Sequence, residues 1–150
     1  MIPQNSLDSL EFSKLLEIIA RYANSDASQR SILSITPLDS KEEIEKRFSC
    51  IEEIRLLSQK GKPLNILPFK DIAPALQEVR PEDAVLEPLE LVGIMDFLFA
   101  ALGLAGQIKS DSVLYALNEL AANLTGKPEL LRMLKKSIDR EGTILDSASP

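Results

Sequence analysis

Pro88-Leu89-Glu90-Leu91-Val92-Gly93-Ile94-Met95-Asp96-Phe97-Leu98-Phe99-Ala100-Ala101-Leu102-Gly103-Leu104-Ala105-Gly106-Gln107-Ile108 is the stretch on which the fold turns. Leu89, Val92, Met95, Phe99 and Leu102 recur every three or four positions, the period of one helix face. Apolar residues fill the other faces too, which predicts a central helix covered on several sides. Glu87-Pro88 opens it, since proline is tolerated in a first helical turn. The Gly103-Leu104-Ala105-Gly106 ending reads as close packing rather than a ligand loop. The apolar run from Leu91 to Ile108 is broken by Gly93, Asp96, Gly103, Gly106 and Gln107. It falls short of the roughly 20 clean apolar residues of a bilayer span, so none is expected.

Downstream, a helix is predicted from Asp111 to Leu124, with Val113, Leu114, Leu117, Leu120 and Ala121 inward. Gly126-Lys127-Pro128 then opens another, Glu129 to Ile138, whose apolar face is Leu130, Leu131, Leu134 and Ile138. Arg132, Lys135 and Lys136 are left outward on it. Asp139-Arg140-Glu141-Gly142-Thr143-Ile144-Leu145-Asp146 reads as a polar, hairpin-like turn about Gly142. Ser149-Pro150 has the form of a cap and first residue of a further helix, so the chain is expected to be a piece of a longer protein.

Upstream, Lys62-Pro63-Leu64-Asn65-Ile66-Leu67-Pro68-Phe69-Lys70 carries two prolines and predicts an extended connector, followed by a short helix from Asp71-Ile72-Ala73-Pro74 to about Arg80. Ser40 and Glu43 have capping-box spacing, and Ile44, Phe48, Ile51 and Ile54 continue at helical period up to Gly61, which suits a left-handed cap. Asp8 and Glu11 repeat the capping-box spacing ahead of Phe12, Leu15, Leu16, Ile19 and Tyr22, predicting a first helix to about Ala23. A second helix from Ser25 to Ile35 must end before Thr36-Pro37. These two should form a helical hairpin.

Of 150 residues, 45% are hydrophobic but only 5% aromatic, with no tryptophan. A core of Leu, Ile, Val and Ala is expected, in an all-α, irregular multi-helix bundle with a short turn or small hairpin near the C-terminus. One cysteine and no histidine exclude the usual zinc sites and a serine triad. Cys50 reads as core filler, because no histidine is available to activate it. The phosphate-cradling motif is absent; Thr125-Gly126-Lys127-Pro128 lacks the upstream glycine and the hydroxyl. Asp139, Glu141 and Asp146 do not have the spacing of a calcium loop. No catalytic residue, cofactor site or metal site is assigned. Met1-Ile2-Pro3-Gln4-Asn5 has no secretory pattern, and a cytoplasmic location is expected.

The net charge of −6 is uneven. Residues 81–126 hold one base, Lys109, against seven acids, whereas 127–140 hold five bases against Glu129 and Asp139. The middle should therefore repel nucleic acid. Arg132, Lys135, Lys136 and Arg140 are the candidates for nucleic-acid or interdomain contact, with solvated surface as the plainer reading.

Three stretches resemble, in order and spacing, the N-terminal core region of the bacterial MutS-II family, ATPases related to DNA mismatch-repair MutS: Ser6-Leu7-Asp8-Ser9-Leu10-Glu11-Phe12-Ser13-Lys14-Leu15-Leu16, Lys70-Asp71-Ile72-Ala73-Pro74-Ala75-Leu76, and Ile138 through Pro150. The resemblance implies a MutS core-like helical segment of a homodimeric DNA-binding ATPase. Lever or clamp helices, an ATPase domain using ATP and magnesium, and commonly an Smr nuclease domain would follow. It implies action on branched or recombination DNA, in repair or the control of recombination, and for some members a role at the ribosome. The segment would serve as a structural core or connector, inactive by itself, its partners being the remaining domains of the parent chain.

Two other readings remain. One is a free-standing helical adaptor that binds a protein partner through an apolar face near Leu64-Asn65-Ile66-Leu67-Pro68-Phe69. The other, the weakest, is a metal-dependent enzyme using Asp139, Glu141 and Asp146.

Overall fold

The computed structural model describes residues 3–111, 113–124 and 126–148 and divides into two compact units, Met1–Leu64 and Asn65–Pro150. Among the described residues the regular structure is helical, joined by one antiparallel bridge between Ile138 and Ile144. The all-α expectation and its small C-terminal hairpin hold.

The first unit contains α1 (Gln4–Ser9), α2 (Phe12–Ala20), α3 (Asp26–Leu33) and α4 (Lys41–Gln59). The predicted single opening helix is instead two. Asp8 lies inside α1, whereas a capping box needs its first residue extended at a helix start. The Leu10 N–H donates to the Ser6 carbonyl at 3.1 Å, and Glu11 takes the left-handed conformation, φ 52°, which ends α1 and restarts the chain as α2. Its carboxylate pairs with Lys14 one turn on.

α2 and α3 pack together as the expected hairpin. Ser25 is extended, and its hydroxyl accepts from the Ser28 N–H at 3.1 Å, satisfying one of the free donors at the start of α3. Ser40 does the same for α4 through the Glu43 N–H at 3.3 Å. At the other end the Gly61 N–H donates to the Ser58 carbonyl at 3.1 Å and the Lys62 N–H to the Leu57 carbonyl at 2.9 Å. This is the Schellman pattern, and it requires the left-handed residue that Gly61 supplies at φ 70°.

The apolar face assigned to α4 is not covered. Phe48 is 61% exposed and Ile51 56%, while Cys50 and Leu57 are the buried residues. Helical spacing shows which side chains share a face; it does not supply the element that covers it.

The second unit contains α5 (Ala73–Glu78), α6 (Pro88–Lys109), α7 (Tyr115–Ala121), α8 (Pro128–Ser137) and a single 3-10 turn, Asp146–Ala148. The Glu90 carboxylate accepts from the Glu87 N–H at 3.0 Å and fixes the start of α6. α6 packs against both α7 and α8. Ile94, Met95, Leu98 and Leu131 form the buried cluster, with Val92, Phe97, Leu102 and Leu134 against it. Its central role is as predicted, although Leu89 and Phe99 are exposed. By length and composition alone α6 would reach across a bilayer, so the expectation that it falls short fails on that measure. A bundle's central helix passes the same test.

α7 begins later than predicted. The Asp111 carboxylate accepts from the Val113 N–H at 3.1 Å, holding the chain in a turn, and the Asn118 amide donates to the Leu114 carbonyl at 2.6 Å. Leu114, Leu117 and Ala121 are buried as expected, but Val113 and Leu120 are exposed. The connector from Asn65 to Ile72 has no regular secondary structure, and it is tied to α6 by Gln107. The Asn65 N–H donates to Gln107 Oε1 at 2.8 Å and Gln107 Nε2 donates to the Asn65 carbonyl at 2.9 Å. Ser149 and Pro150, read as the opening of a further helix, lie outside the described residues.

Candidate functional site

Arg132, Lys135 and Lys136 stand at i, i+3 and i+4 on α8, all exposed. Leu131 faces the core, and Lys135 and Lys136 fall in the last helical turn, where the helix dipole favours cations. Arg140 lies beyond the helix. Ile138 leaves it in an extended conformation, and a tight hairpin follows. Asp139 organises that hairpin: its Oδ1 accepts from the Glu141 N–H at 3.0 Å and the Thr143 N–H at 2.8 Å, and its own N–H donates to the Thr143 carbonyl at 3.0 Å. Gly142 turns the chain at φ 84°. The returning arm is held to the end of α8 by the Leu145 N–H on the Ser137 carbonyl, 2.9 Å, and by the Ser147 hydroxyl on the Lys136 carbonyl, 2.6 Å.

Between α6, the end of α8 and this hairpin lies a cleft of about 570 Å³. Met95, Phe99, Ile138 and Leu145 give it an apolar lining; Asp96, Lys135, Asp139, Arg140 and Glu141 give it charge. Lys135 Nζ sits 4.8 Å from the centroid of the Phe99 ring, a cation–π contact. The fold thus brings Lys135 and Arg140 to one cleft, and Arg132 and Lys136 do not line it. Phosphate approaching the two lining cations would meet three carboxylates as well, which weakens nucleic-acid attraction at this point.

Asp139, Glu141 and Asp146 are not gathered into a metal cage: Asp139 is committed to backbone donors, and Asp146 opens the 3-10 turn. Among the described residues no group of three His, Cys, Asp or Glu side chains could hold a metal ion. Cys50 is buried and forms no disulfide. Sequence reasoning missed Asp96 as part of a site and took Phe99 for core. The available signal was an aspartate midway along an otherwise apolar helix.

The first unit has its own groove, about 260 Å³, lined by Phe12, Ile35, Pro37, Leu38, Ile44, Phe48 and Ile51, with Arg47 beside them. In the connector Ile66 and Leu67 are partly exposed, while Phe69 packs edge-on against Phe97 with ring centroids 5.2 Å apart. The apolar face expected near Leu64–Phe69 is therefore partly used up within the second unit.

No family model matches the chain, and no solved structure matches it. Curated relatives do. The chain is 29% identical over 98% of its length to a protein from Pelotomaculum thermopropionicum named endonuclease MutS2, and 29% identical over the same share to one of that name from Bacillus velezensis. A third, from Thermotoga maritima, is 28% identical over 96% of the chain. The chain spans only about a fifth of the length of these relatives, 18 to 19%. The MutS-II resemblance carried by its three sequence stretches holds along nearly the whole chain, which is similar to a segment of the proteins named endonuclease MutS2.

Proposed function

We propose that residues 1–150 are a structural core or connector segment of a MutS-II-like DNA-binding ATPase acting in DNA repair or the control of recombination, with no enzymatic activity of their own. The observation that carries this reading is that nearly all of the chain aligns with only a fifth of proteins named as endonucleases. A second observation supports it. Several large apolar side chains stand exposed. Phe48, Ile51, Leu89 and Val113 belong to that exposed surface, and further domains of a parent chain would cover such faces.

In this reading ATP and magnesium are handled by other parts of a homodimeric, cytoplasmic parent, which binds branched or recombination DNA or acts at the ribosome. Packed helices without polar chemistry suit a rigid body that passes a nucleotide-driven movement to a DNA clamp. A free-standing helical adaptor is the alternative, favoured by the apolar groove of the first unit.

The test compares the 150-residue chain with its full-length natural parent on branched and linear duplexes, at low and moderate salt, with ATP hydrolysis and strand cleavage followed in parallel. Binding and hydrolysis by the parent alone are expected. Cleavage or ATP hydrolysis by the 150-residue chain, or DNA binding as tight as the parent's, would overturn the connector reading.

A further inference from the structure

The cleft between α6, α8 and the C-terminal hairpin has features that the connector reading does not use. Asp96 is half-buried at the middle of α6, between Met95 and Phe97, and no hydrogen bond or ion pair engages its carboxylate among the described residues. A half-buried carboxylate that no cation engages remains open to a charge-assisted bond from an incoming cation. Phe99 is 43% exposed, and its ring already holds one cation, the Lys135 ammonium. The chain's own lysine thus stands in for what that face accepts. Among the described residues, Arg140 and Glu141 at the hairpin also have side chains without an ion pair.

We propose that this cleft is a docking site for a polypeptide segment presenting an arginine next to an acidic side chain. The guanidinium would lie on Phe99 in place of Lys135 and pair with Asp96 and Glu141; a planar group can stack and bind a carboxylate in two places at once, which an ammonium cannot. Its methylene stem would lie along the half-buried Leu145. The adjacent acid would meet Arg140 and the displaced Lys135, so both signs in the cleft find a partner. A volume of about 570 Å³ admits a side chain with its flanking backbone. Nucleic acid fits less well, because Asp96 and Glu141 oppose phosphate where Lys135 and Arg140 would attract it. This inference stands on the cleft alone and does not depend on the connector reading.

The probe is the blocked dipeptide acetyl-Arg-Glu-amide, titrated into the 150-residue chain with amide chemical shifts as readout. Saturable shifts at Asp96, Phe99 and Glu141 are expected, weakened up to about fivefold when citrulline replaces arginine, as for loss of a partly exposed ion pair. The isosteric variants Asp96→Asn and Glu141→Gln, checked for unchanged spectra elsewhere, should each weaken the response. Equal shifts with the citrulline dipeptide, no saturable shift with arginine, or larger shifts at these residues with inorganic phosphate or a duplex oligonucleotide would each overturn the proposal. So would self-association of the chain through the same residues in the absence of peptide.

Discussion

Gly126 stands so close to Leu102 that a Cβ built on it would lie 2.4 Å from Leu102 Cγ and 2.6 Å from Cδ2. The backbone of the turn ahead of α8 is thereby pressed onto the side of α6, at φ 56°. Gly126→Ala must both strain the backbone and push Leu102 out of the α6–α8 contact. A loss of about 2 kcal/mol is expected. Gly61→Ala meets nothing within 4 Å and pays only for its φ of 70°, about 1 kcal/mol. Denaturant unfolding of both variants checks the order, Gly126→Ala being the worse.

The caps at Ser25 and Ser40 make a second prediction. Each hydroxyl accepts one backbone N–H that α3 or α4 would otherwise leave free. Replacement by alanine should cost about 1 kcal/mol at either site, while Ser→Asp should be close to neutral. Circular dichroism during thermal unfolding measures both, and equal stability of the alanine and serine forms would remove the capping role.

Asp139 holds two backbone donors with one oxygen. Asp139→Ala should cost about 2 kcal/mol locally and release the Glu141 and Thr143 amides to exchange with solvent. Asp139→Asn keeps an acceptor oxygen in place and should preserve most of their protection. Hydrogen exchange at these two amides separates a turn-forming role from a purely electrostatic one, in which both variants would behave alike.

Gln107 fastens the connector to α6 through two hydrogen bonds to the main chain of Asn65. Gln107→Ala should cost about 1 to 2 kcal/mol of local stability. The expected readouts are faster exchange of the Asn65 amide and faster proteolysis between residues 62 and 70. Unchanged proteolysis would mean that Phe69 against Phe97 is enough to hold the segment.

Local signals were legible where a short-range rule decides the outcome. Ser25 and Ser40 cap their helices, Gly61 closes α4, Pro128 opens α8, and Gly142 turns the hairpin, each within four or five residues of the signal. The same kind of rule failed at Asp8 and Glu11, where capping-box spacing sits inside a helix and across its end. A spacing does not reveal whether its first residue is extended. Of the candidate site, Arg132, Lys135 and Lys136 were readable as one helix face. The cleft was not, because Asp96 lies 39 positions before Lys135 and their meeting depends on how α8 crosses α6.

By itself the sequence determined the helical class, the central place of α6, the connector without helix or strand and the MutS-II resemblance, because periodicity, proline and glycine act over neighbouring residues and a family likeness is carried by strings. Tertiary structure alone decided which apolar faces are covered. Phe48 and Ile51 remain exposed while Leu117 and Ala121 are buried, although all four lie on well-patterned helix faces. It also decided that Lys135 rests on Phe99 and that Arg140 and Asp96 line one cleft. Burial and charge pairing are properties of elements brought together from distant parts of the chain, and the local pattern of one helix does not hold that information.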